Sequence, residues 1–495
     1  MRKVIEKQLK FGQVDIDSIE IDTQSRDEIP QLLLGLQAIY RDIPLRNKIF
    51  RILKSIVPET TSATNGRPGM DLWKILVLGV LRLNCNIDHD KLLELANEHK
   101  SIREFLGHSI FEFDQRYALQ TLKDNVALLT PEVMDRINEL VVKTGHKMFG
   151  KNDDDLFGRC DSFVVETNVH FPTDINLLWD SMRKVISLIA HEFSELGLTE
   201  WRQSEYILRK IKKLFNKANR LRQSNSNDEQ KKAAKQAQII AAYQAYVDKA
   251  VEYIHRTRQS IAILSDMGMG SVGRIMAIEH FIAHAERQIN QILRRVVNDE
   301  TIPHHEKVFS IFEPHTEWIS KGKAGVSQEL GLKVCILEDQ YGFILHHRVM
   351  EKQTDDQVAV EMVSGAQAKF ERLAGCSFDK GFHSPNNQKD LPVILDLVVL
   401  PRKGRLSTEA QIVEHAEDFM RARRKHSAVE SAINALENHA LDRCPDHGLF
   451  GFKRYVSLAV LARNIQILGA KIQAKELKRQ RREEKAAMKS YRQAA

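Results

Sequence analysis

Cysteine is scarce in this chain of 495 residues, and the few cysteines present form no pattern. No CxxC pair and no even spacing occurs among the five, which are Cys85, Cys160, Cys335, Cys376 and Cys444. This usage excludes a disulfide scaffold and is typical of a reducing compartment. The nearest arrangement to a metal site, formed by His439, Cys444 and His447, lacks a fourth nearby ligand, so we place no zinc there.

Long apolar runs are also absent. The most apolar early stretch, residues 72–83, is shorter than the roughly 20 residues that span a bilayer and contains Lys74 and Arg82, so it predicts a buried helix. The charged N-terminus has no apolar h-region, and we therefore expect no secretory signal. These features predict a cytoplasmic protein without a membrane partner.

A phosphate-binding P-loop is missing as well. The segment Gly322-Lys323-Ala324 has no glycine five positions earlier, and Ala324 stands where a Ser or Thr is required. An ATPase is therefore excluded. Lys321 and Lys323 flank Gly322 in what the sequence predicts to be a basic turn, which suits contact with a phosphate backbone.

Basic residues are concentrated in two segments, although the net charge is only +7. Residues 202–222 carry eight Lys or Arg against one acid, and residues 471–495 carry nine against three. A solvated helix face or tail would explain either segment alone, whereas two such segments favour a nucleic-acid partner. Lys210 and Lys213 in the first segment and Arg481 and Arg482 in the second are candidate DNA contacts.

Helical patterns precede and interrupt a set of strand patterns. Helices are predicted at 72–83, at 88–99 and from 101, which is compatible with a helix-turn-helix unit or with any small helical bundle. Strands are predicted at 157–165, 333–338, 341–349, 375–379 and 391–400, the last as a central buried strand. Helical periodicity occupies 176–298, and further helices are predicted at 355–373 and 408–440. The order predicts a mixed α/β sheet with one helical insertion.

Three acids lie where a carboxylate is costly unless it is used. Asp161 lies inside the first predicted strand, Asp379 ends a short strand, and Glu430 lies within the last long helix. Carboxylates from separate elements can hold two Mg²⁺ ions for an in-line phosphoryl displacement. Each acid alone has an ordinary explanation, as a turn residue or as surface charge.

The segments around these acids resemble insertion-sequence transposases with an RNase H-like DDE core, closest to the ISNCY type. The resemblance covers most of the chain. It is carried by residues 161–174 (DSFVVETNVHFPTD), 307–325 (KVFSIFEPHTEWISKGKAG), 378–384 (FDKGFHS) and 423–434 (RRKHSAVESAIN), together with the N-terminal segment 66–71 (GRPGMD). It implies that Asp161, Asp379 and Glu430 are the catalytic, metal-binding triad, with Mg²⁺ or Mn²⁺ as cofactor, in two ions.

One position departs from the broader pattern of related transposases. Many have a Lys or Arg seven residues after the glutamate, where this chain has Glu437. Lys453, Arg454 or another base would then take that role, unless this branch does not need it, and Glu437 is the nearest competitor of Glu430. His426 lies four residues before Glu430, on the same side of the helix. His426 and Arg423 are further candidate DNA contacts, although a satisfied surface histidine is equally compatible.

The resemblance implies a domain organisation and a function. Residues 1–156 form an all-α N-terminal DNA-binding or dimerisation region, residues 157–175 and 305–440 a five-stranded RNase H-like core, residues 176–304 a helical insertion, and residues 441–495 a basic helical tail. We expect a bacterial, nucleoid-associated transposase that binds terminal inverted repeats as a dimer or larger oligomer, nicks the ends and transfers the 3′ hydroxyl into target DNA. The alternatives are a nuclease of the same fold without strand transfer and a catalytically silent DNA-binding protein derived from a transposase.

Overall fold

The computed structural model describes residues 2–5, 9–57, 69–112, 114–150, 155–223, 225–268, 270–320 and 328–494. The protein is a mixed α/β structure, as expected, but its sheet has seven strands among these residues and not the expected five. It divides into two compact units, one formed by Met1–Asn168 with Ile319–Ala495 and the other by Val169–Trp318. Each unit has its own hydrophobic cluster. Among the described residues, no helix combines the length and the apolar character needed to cross a bilayer.

Seven α-helices precede the sheet in the described part of the chain. They are α1 (Glu28–Arg41), α2 (Ile43–Lys54), α3 (Leu72–Asn84), α4 (His89–Glu98), α5 (Lys100–Phe105), α6 (Leu119–Val126) and α7 (Pro131–Phe149). Aspartate side chains cap the first turns of α1, α2 and α4. Helix α3 is buried on nearly every side, as its sequence predicts, because it lies in the middle of the first unit's cluster. The predicted helices near 72, 88 and 101 are therefore confirmed, whereas Gly66, Arg67 and Pro68 lie outside the described residues.

The first strand, β1 (Leu156–Thr167), leads into the second unit. That unit consists of α8 (Asp174–Glu195), α9 (Ser204–Arg220), α10 (Glu229–Asp266) and α11 (Val272–Ile292). Thr173 caps α8, and the apolar faces of all four helices meet in one cluster that includes Ile189, Ile211 and Tyr246. The helical segment predicted from the periodicity of 176–298 is confirmed.

The sheet is completed after this unit. Its later elements are β2 (Glu317–Ser320), β3 (Gln328–Glu338), β4 (Ile344–Met350), α12 (Asp355–Gln367), β5 (Leu373–Phe378), α13 (Pro385–Ile394) and β6 (Leu397–Val399). The strands follow the order β4–β3–β1–β5–β6, and β2 also pairs with β3. Strand β3 is antiparallel to β1 and β4, while β1, β5 and β6 are parallel. The hairpin predicted around Asp339 is confirmed: its carboxylate accepts hydrogen bonds from the backbone N–H groups of Tyr341 and Phe343 at 2.8 and 2.9 Å.

Two predicted elements are wrong in extent. The apolar segment 391–400 is not a central strand: Ser384 caps α13, Pro385 occupies its first turn, and the helix runs to Ile394. Only Leu397–Val399 remains as β6, at the edge of the sheet, and Val393 is 82% exposed. The single helix predicted at 408–440 is three, α14 (Thr408–His415), α15 (Glu417–His426) and α16 (Ala428–Leu436). The first break falls where Ala416 adopts an extended conformation, with ψ at 140°, and the second falls at Ser427.

The C-terminal segment packs onto the N-terminal helices. After the short strand β7 (Arg443–Cys444), which pairs with the end of β1, α17 (Gly448–Ala494) contacts α1, α3 and α7. Gly469 allows a backbone contact, since a Cβ atom there would lie 1.8 Å from the carbonyl oxygen of Gln31 in α1. The helices before the sheet and the helix after it therefore share one hydrophobic cluster with the sheet.

Candidate active site

The pairing of β1 with β5 brings two of the three predicted acids to neighbouring strands. The strands are parallel, with Arg159 opposite Ser377 and Cys160 opposite Phe378. Because side chains alternate along a strand, Arg159, Asp161 and Ser377 lie on one face of the sheet, which we call the site face. Asp379 follows Phe378 directly, at the end of β5, so it is the next position beside Asp161.

The opposite face of these strands belongs to the hydrophobic core. Cys160, Cys335 and Cys376 are buried there, and the sulfur atoms of Cys160 and Cys335 are 3.5 Å apart. The alternation therefore explains how a carboxylate can occupy the middle of an apolar strand: Cys160, the residue before it, is buried in the core, while Asp161 itself is only partly buried on the site face.

Glu430 approaches this face from helix α16. Val429 and Ala432 are buried and hold the helix against β1, whereas Glu430 is exposed one residue away. Burial raises the pKa of Asp161 to about 6, and the charges of Asp379, Asp355 and Glu430 act in the same direction. A backbone N–H donated by Ser162 at 2.7 Å opposes this rise. Asp161, Asp379 and Glu430 therefore interact electrostatically, and we call these three residues the acid cluster.

The competitor Glu437 lies at the start of a π-helical turn, Glu437–Leu441, which follows α16. It is seven residues beyond Glu430, a rise of about 10 Å along an α-helix. Glu430, in the first turn of α16, is among the groups that act on Asp161. This placement favours Glu430 as the third acid.

A fourth acid, Asp355, was missed by sequence reasoning. It is the first residue of α12, and its carboxylate accepts hydrogen bonds from Ser162 Oγ at 2.6 Å and from Lys333 Nζ at 2.9 Å. In the sequence, Thr354 to Gln357 reads as the capping box of a helix, which the structure also contains. An acid in that position has an ordinary explanation, so no local signal marks its proximity to Asp161.

His426, at the end of α15, contacts the site face directly. Its Nδ1 lies 3.0 Å from Ser377 Oγ. Burial lowers the pKa of His426 and Arg159 acts in the same direction, while Asp379 and Glu430 oppose the shift. The histidine is therefore mainly neutral at pH 7. Arg423, one turn earlier, is exposed, and its guanidinium lies 3.8 Å from Glu414.

The remaining candidate DNA contacts lie on other surfaces. Lys210 and Lys213 are exposed on α9, in the second unit, and Arg481 and Arg482 are exposed on α17. Lys321 and Lys323 lie outside the described residues. Of the candidate DNA contacts among the described residues, only Arg423 and His426 lie on α15, the helix that directly precedes α16 and Glu430.

The chemistry of the cluster fits a hard divalent cation. All its donors are carboxylate oxygens, the ligand type that Mg²⁺ and Mn²⁺ prefer. Lys333 compensates Asp355, whereas the charges on Asp379 and Glu430 still disfavour ionisation of Asp161. A bound cation would relieve this repulsion. Within the described ranges, no three His, Cys, Asp or Glu side chains are arranged so that they could already hold a metal ion. No family model, curated protein or solved structure matches this chain.

The raised pKa of Asp161 predicts a pH-dependent effect on stability. Because the folded-state pKa, about 6, exceeds the ordinary value of 3.8, ionised Asp161 destabilises the fold above pH 6, and the penalty disappears below about pH 4. We expect Asp161→Asn to raise the free energy of unfolding by about 1–2 kcal/mol at pH 8 in EDTA, and to change it little near pH 4. Urea denaturation at both pH values measures this.

Asp355→Asn is the matched control, because Asp355 is compensated by Lys333 and Asp161 is not. This variant should lower the free energy of unfolding at pH 8, since it weakens an ion pair and a charged hydrogen bond. Equal destabilisation by Asp161→Asn and Asp355→Asn at pH 8 would contradict the uncompensated charge that we assign to Asp161.

Proposed function

We propose that this chain is a DDE-type DNA transposase that cleaves DNA at the ends of a mobile element and joins the 3′ ends to target DNA. The observation that carries the proposal is that Asp379 at the end of β5 and Glu430 on α16 both raise the pKa of the Asp161 carboxyl group on β1. Acids from separate elements at one end of paired parallel strands form a ligand set of the kind that phosphoryl transfer by two metal ions requires.

The arrangement of the sheet is consistent with an RNase H-like core, which we propose for this unit. Strand β1 lies centrally, β3 and β4 form an antiparallel hairpin on one side, and β5 and β6 run parallel to it on the other. The helical unit enters between β1 and β2, so Asp161 is far from Asp379 in sequence but lies on the neighbouring strand of the sheet. A core that is interrupted by a helical insertion after the first acid is the arrangement that the resemblance implies.

Asp161, Asp379 and Glu430 would hold Mg²⁺ or Mn²⁺. When bound, such ions activate an attacking oxygen and stabilise the departing one during an in-line displacement at phosphorus. The chain's own contribution is to keep the acids in place. At pH 7.5 Asp161 is mostly ionised, because its pKa is about 6. Ser162 and Lys333 hold the Asp355 carboxylate through hydrogen bonds of 2.6 and 2.9 Å. His426 positions α15 on the site face through Ser377.

Two displacements complete the proposed reaction. In the first, a water oxygen bonds to phosphorus as the bond from phosphorus to O3′ breaks, which leaves a 3′ hydroxyl and a 5′ phosphate. In the second, this hydroxyl oxygen bonds to a target phosphorus, and the target's own 3′ oxygen leaves with a proton. Neither step needs ATP or a covalent bond between protein and DNA.

Helix α9 supplies the surface that we propose for binding DNA. Its apolar side, with Ile207, Ile211 and Ala218, is buried. Its exposed side carries Arg209, Lys210, Lys213, Lys217 and Arg220, and no ion-pair partner of these five lies among the described residues. Elsewhere in the same unit, exposed Arg258 is paired with Glu286 at 2.6 Å. A basic face without compensating acids favours a polyanion such as the phosphate backbone of double-stranded DNA.

Synapsis of two inverted repeats requires at least two copies of the chain, and we accordingly propose a homodimer or larger oligomer on DNA. Such an assembly is consistent with the symmetry of most homo-oligomers.

Cleavage of a plasmid that carries the two ends of the element tests the function. We expect cleavage with Mg²⁺ or Mn²⁺ and none in EDTA, and a loss of about 100-fold or more for Asp161→Asn, Asp379→Asn and Glu430→Gln, because each removes a ligand of the transition-state cations. Glu437→Gln, the matched control, should stay within about threefold of wild type. Full activity after any one of the three triad substitutions would show that its residue is wrongly assigned.

The same protein preparation also distinguishes a transposase from the two alternative functions. With ends that are already nicked, a transposase joins the 3′ hydroxyl to a second DNA molecule, whereas a nuclease of the same fold yields only hydrolysed product. A DNA-binding protein without catalytic activity would bind both substrates and yield neither product.

The role of α9 predicts a change in the salt dependence of DNA binding. Lys210, Lys213 and Lys217 lie on one side of the helix, three and four residues apart. Their joint replacement by Gln should reduce the slope of log Kd against log salt by about two to three, because each lost phosphate contact releases about one counterion fewer. Fluorescence anisotropy with duplex DNA, at salt concentrations from about 50 to about 300 mM, measures this slope. Arg258→Gln, whose charge is already paired, should leave the slope unchanged, and an unchanged slope in the triple variant would overturn the assignment.

A further inference from the structure

A cavity of about 430 Å³ lies beside the acid cluster and plays no part in the function described so far. It lies between the site face and α15. Arg159 and Ser377 contribute from β1 and β5, Leu397 and Val399 from β6, and Ala422 and Lys425 from α15. Its volume is within the range of about 300–1,000 Å³ that is typical of pockets for small ligands.

Two residues that line the cavity lie on the same strands as two of the acids. Arg159 precedes Asp161 by two residues on β1, and Ser377 precedes Asp379 by two residues on β5. Two residues of a strand span about 7 Å. Since successive nucleotides of a stacked DNA strand are about 3.4 Å apart, the cavity lies about two nucleotides from the acid cluster.

The lining combines an apolar wall with a cationic rim. Phe157, Leu397 and Val399 present apolar groups from the sheet. Arg421 and Lys425 lie one turn apart on α15 at the opposite side. Arg421 is paired with Asp418 at 2.6 Å, whereas Lys425 has no ion-pair partner in the part of the chain that the structure describes. A ligand that satisfies both halves has a flat apolar part and an anionic part.

We propose that this cavity takes one nucleotide of the DNA strand that enters the acid cluster, with its base against Leu397 and Val399 and its phosphate at Lys425. The proposal rests on the proposed function. A base outside the stack costs a few kcal/mol, which a pocket for its flat face and a cation for its phosphate can offset. Holding a nucleotide two positions away fixes the register of the strand, and so determines which phosphate meets Asp161, Asp379 and Glu430.

The small side chain of Ala422 leaves the cavity open, so a substitution at this position tests the role of the cavity. A larger side chain at this position would fill the cavity without changing its charge. Ala416→Phe is the matched control, since Ala416 is exposed and does not line the cavity. Lys425→Met removes the cation at the rim, and Arg424→Met, one residue earlier and outside the lining, controls for the loss of charge on α15.

The first arm of the experiment measures the affinity of the full-length protein for three probes in EDTA: thymidine 5′-monophosphate, thymidine and 2-deoxyribose 5-phosphate. Calorimetry or saturation-transfer NMR serves for this measurement. We expect the nucleotide to bind about tenfold more tightly than either fragment. Ala422→Phe should abolish the preference over 2-deoxyribose 5-phosphate, and Lys425→Met the preference over thymidine. The two control variants should behave as wild type.

The second arm measures metal-dependent cleavage of the plasmid that carries the element ends. We expect Ala422→Phe to reduce cleavage about tenfold or to shift the cut by one or more nucleotides, and Ala416→Phe to do neither. If Ala422→Phe abolishes nucleotide binding but leaves the rate and position of cleavage unchanged, the cavity takes a free nucleotide and the proposal is overturned. It is also overturned if the wild type shows no preference for the nucleotide. Absence of cleavage by the wild type would instead overturn the proposed function.

Discussion

A carboxylate inside a sheet is costly unless other charges compensate it. Asp161 is in this position, on the central strand, and the charges around it, from Asp355, Asp379 and Glu430, are of the same sign. The alternation of β1 places Cys160 and Val164 on the opposite face, where both are buried, so the carboxylate cannot leave the site face without disrupting the pairing of the strand. The fold therefore keeps like charges close to one another, and a divalent cation bound among them would reduce their repulsion.

The rest of the first unit keeps these acids in place. Strand β5 brings Asp379 into register, α16 brings Glu430, and α12 brings Asp355 with its partner Lys333. Helix α17, packed on α1, α3 and α7, joins the N-terminal helices to the same hydrophobic cluster as the sheet. The second unit carries its basic face on α9 and has a cluster of its own, so its surface charge can vary without affecting the packing around the acids.

Much of this arrangement is predictable from sequence, because local patterns decide it. β-Branched and aromatic residues around Asp161 predict β1, and helical periodicity predicts the second unit. The extent of β6 and the breaks in the helix after Thr408 are not predictable locally, since capping by Ser384 and packing of short helices against the sheet decide them. The same holds for Asp355, which reads as an ordinary acid in the first turn of a helix, and for the cavity beside α15, which exists only once three strands and a helix meet.

The central claim is that Asp161 is held among uncompensated negative charges in the absence of metal. Its most direct test is an NMR titration of the protein with ¹³C-labelled aspartate carboxyl groups, with the Asp161 resonance assigned by Asp161→Asn. The account predicts a pKa of about 6 for Asp161 in EDTA, a lower pKa in Asp379→Asn and in Glu430→Gln, and a pKa below the ordinary 3.8 when Mg²⁺ is added. A pKa near 3.8 in EDTA that neither substitution nor Mg²⁺ changes would contradict it.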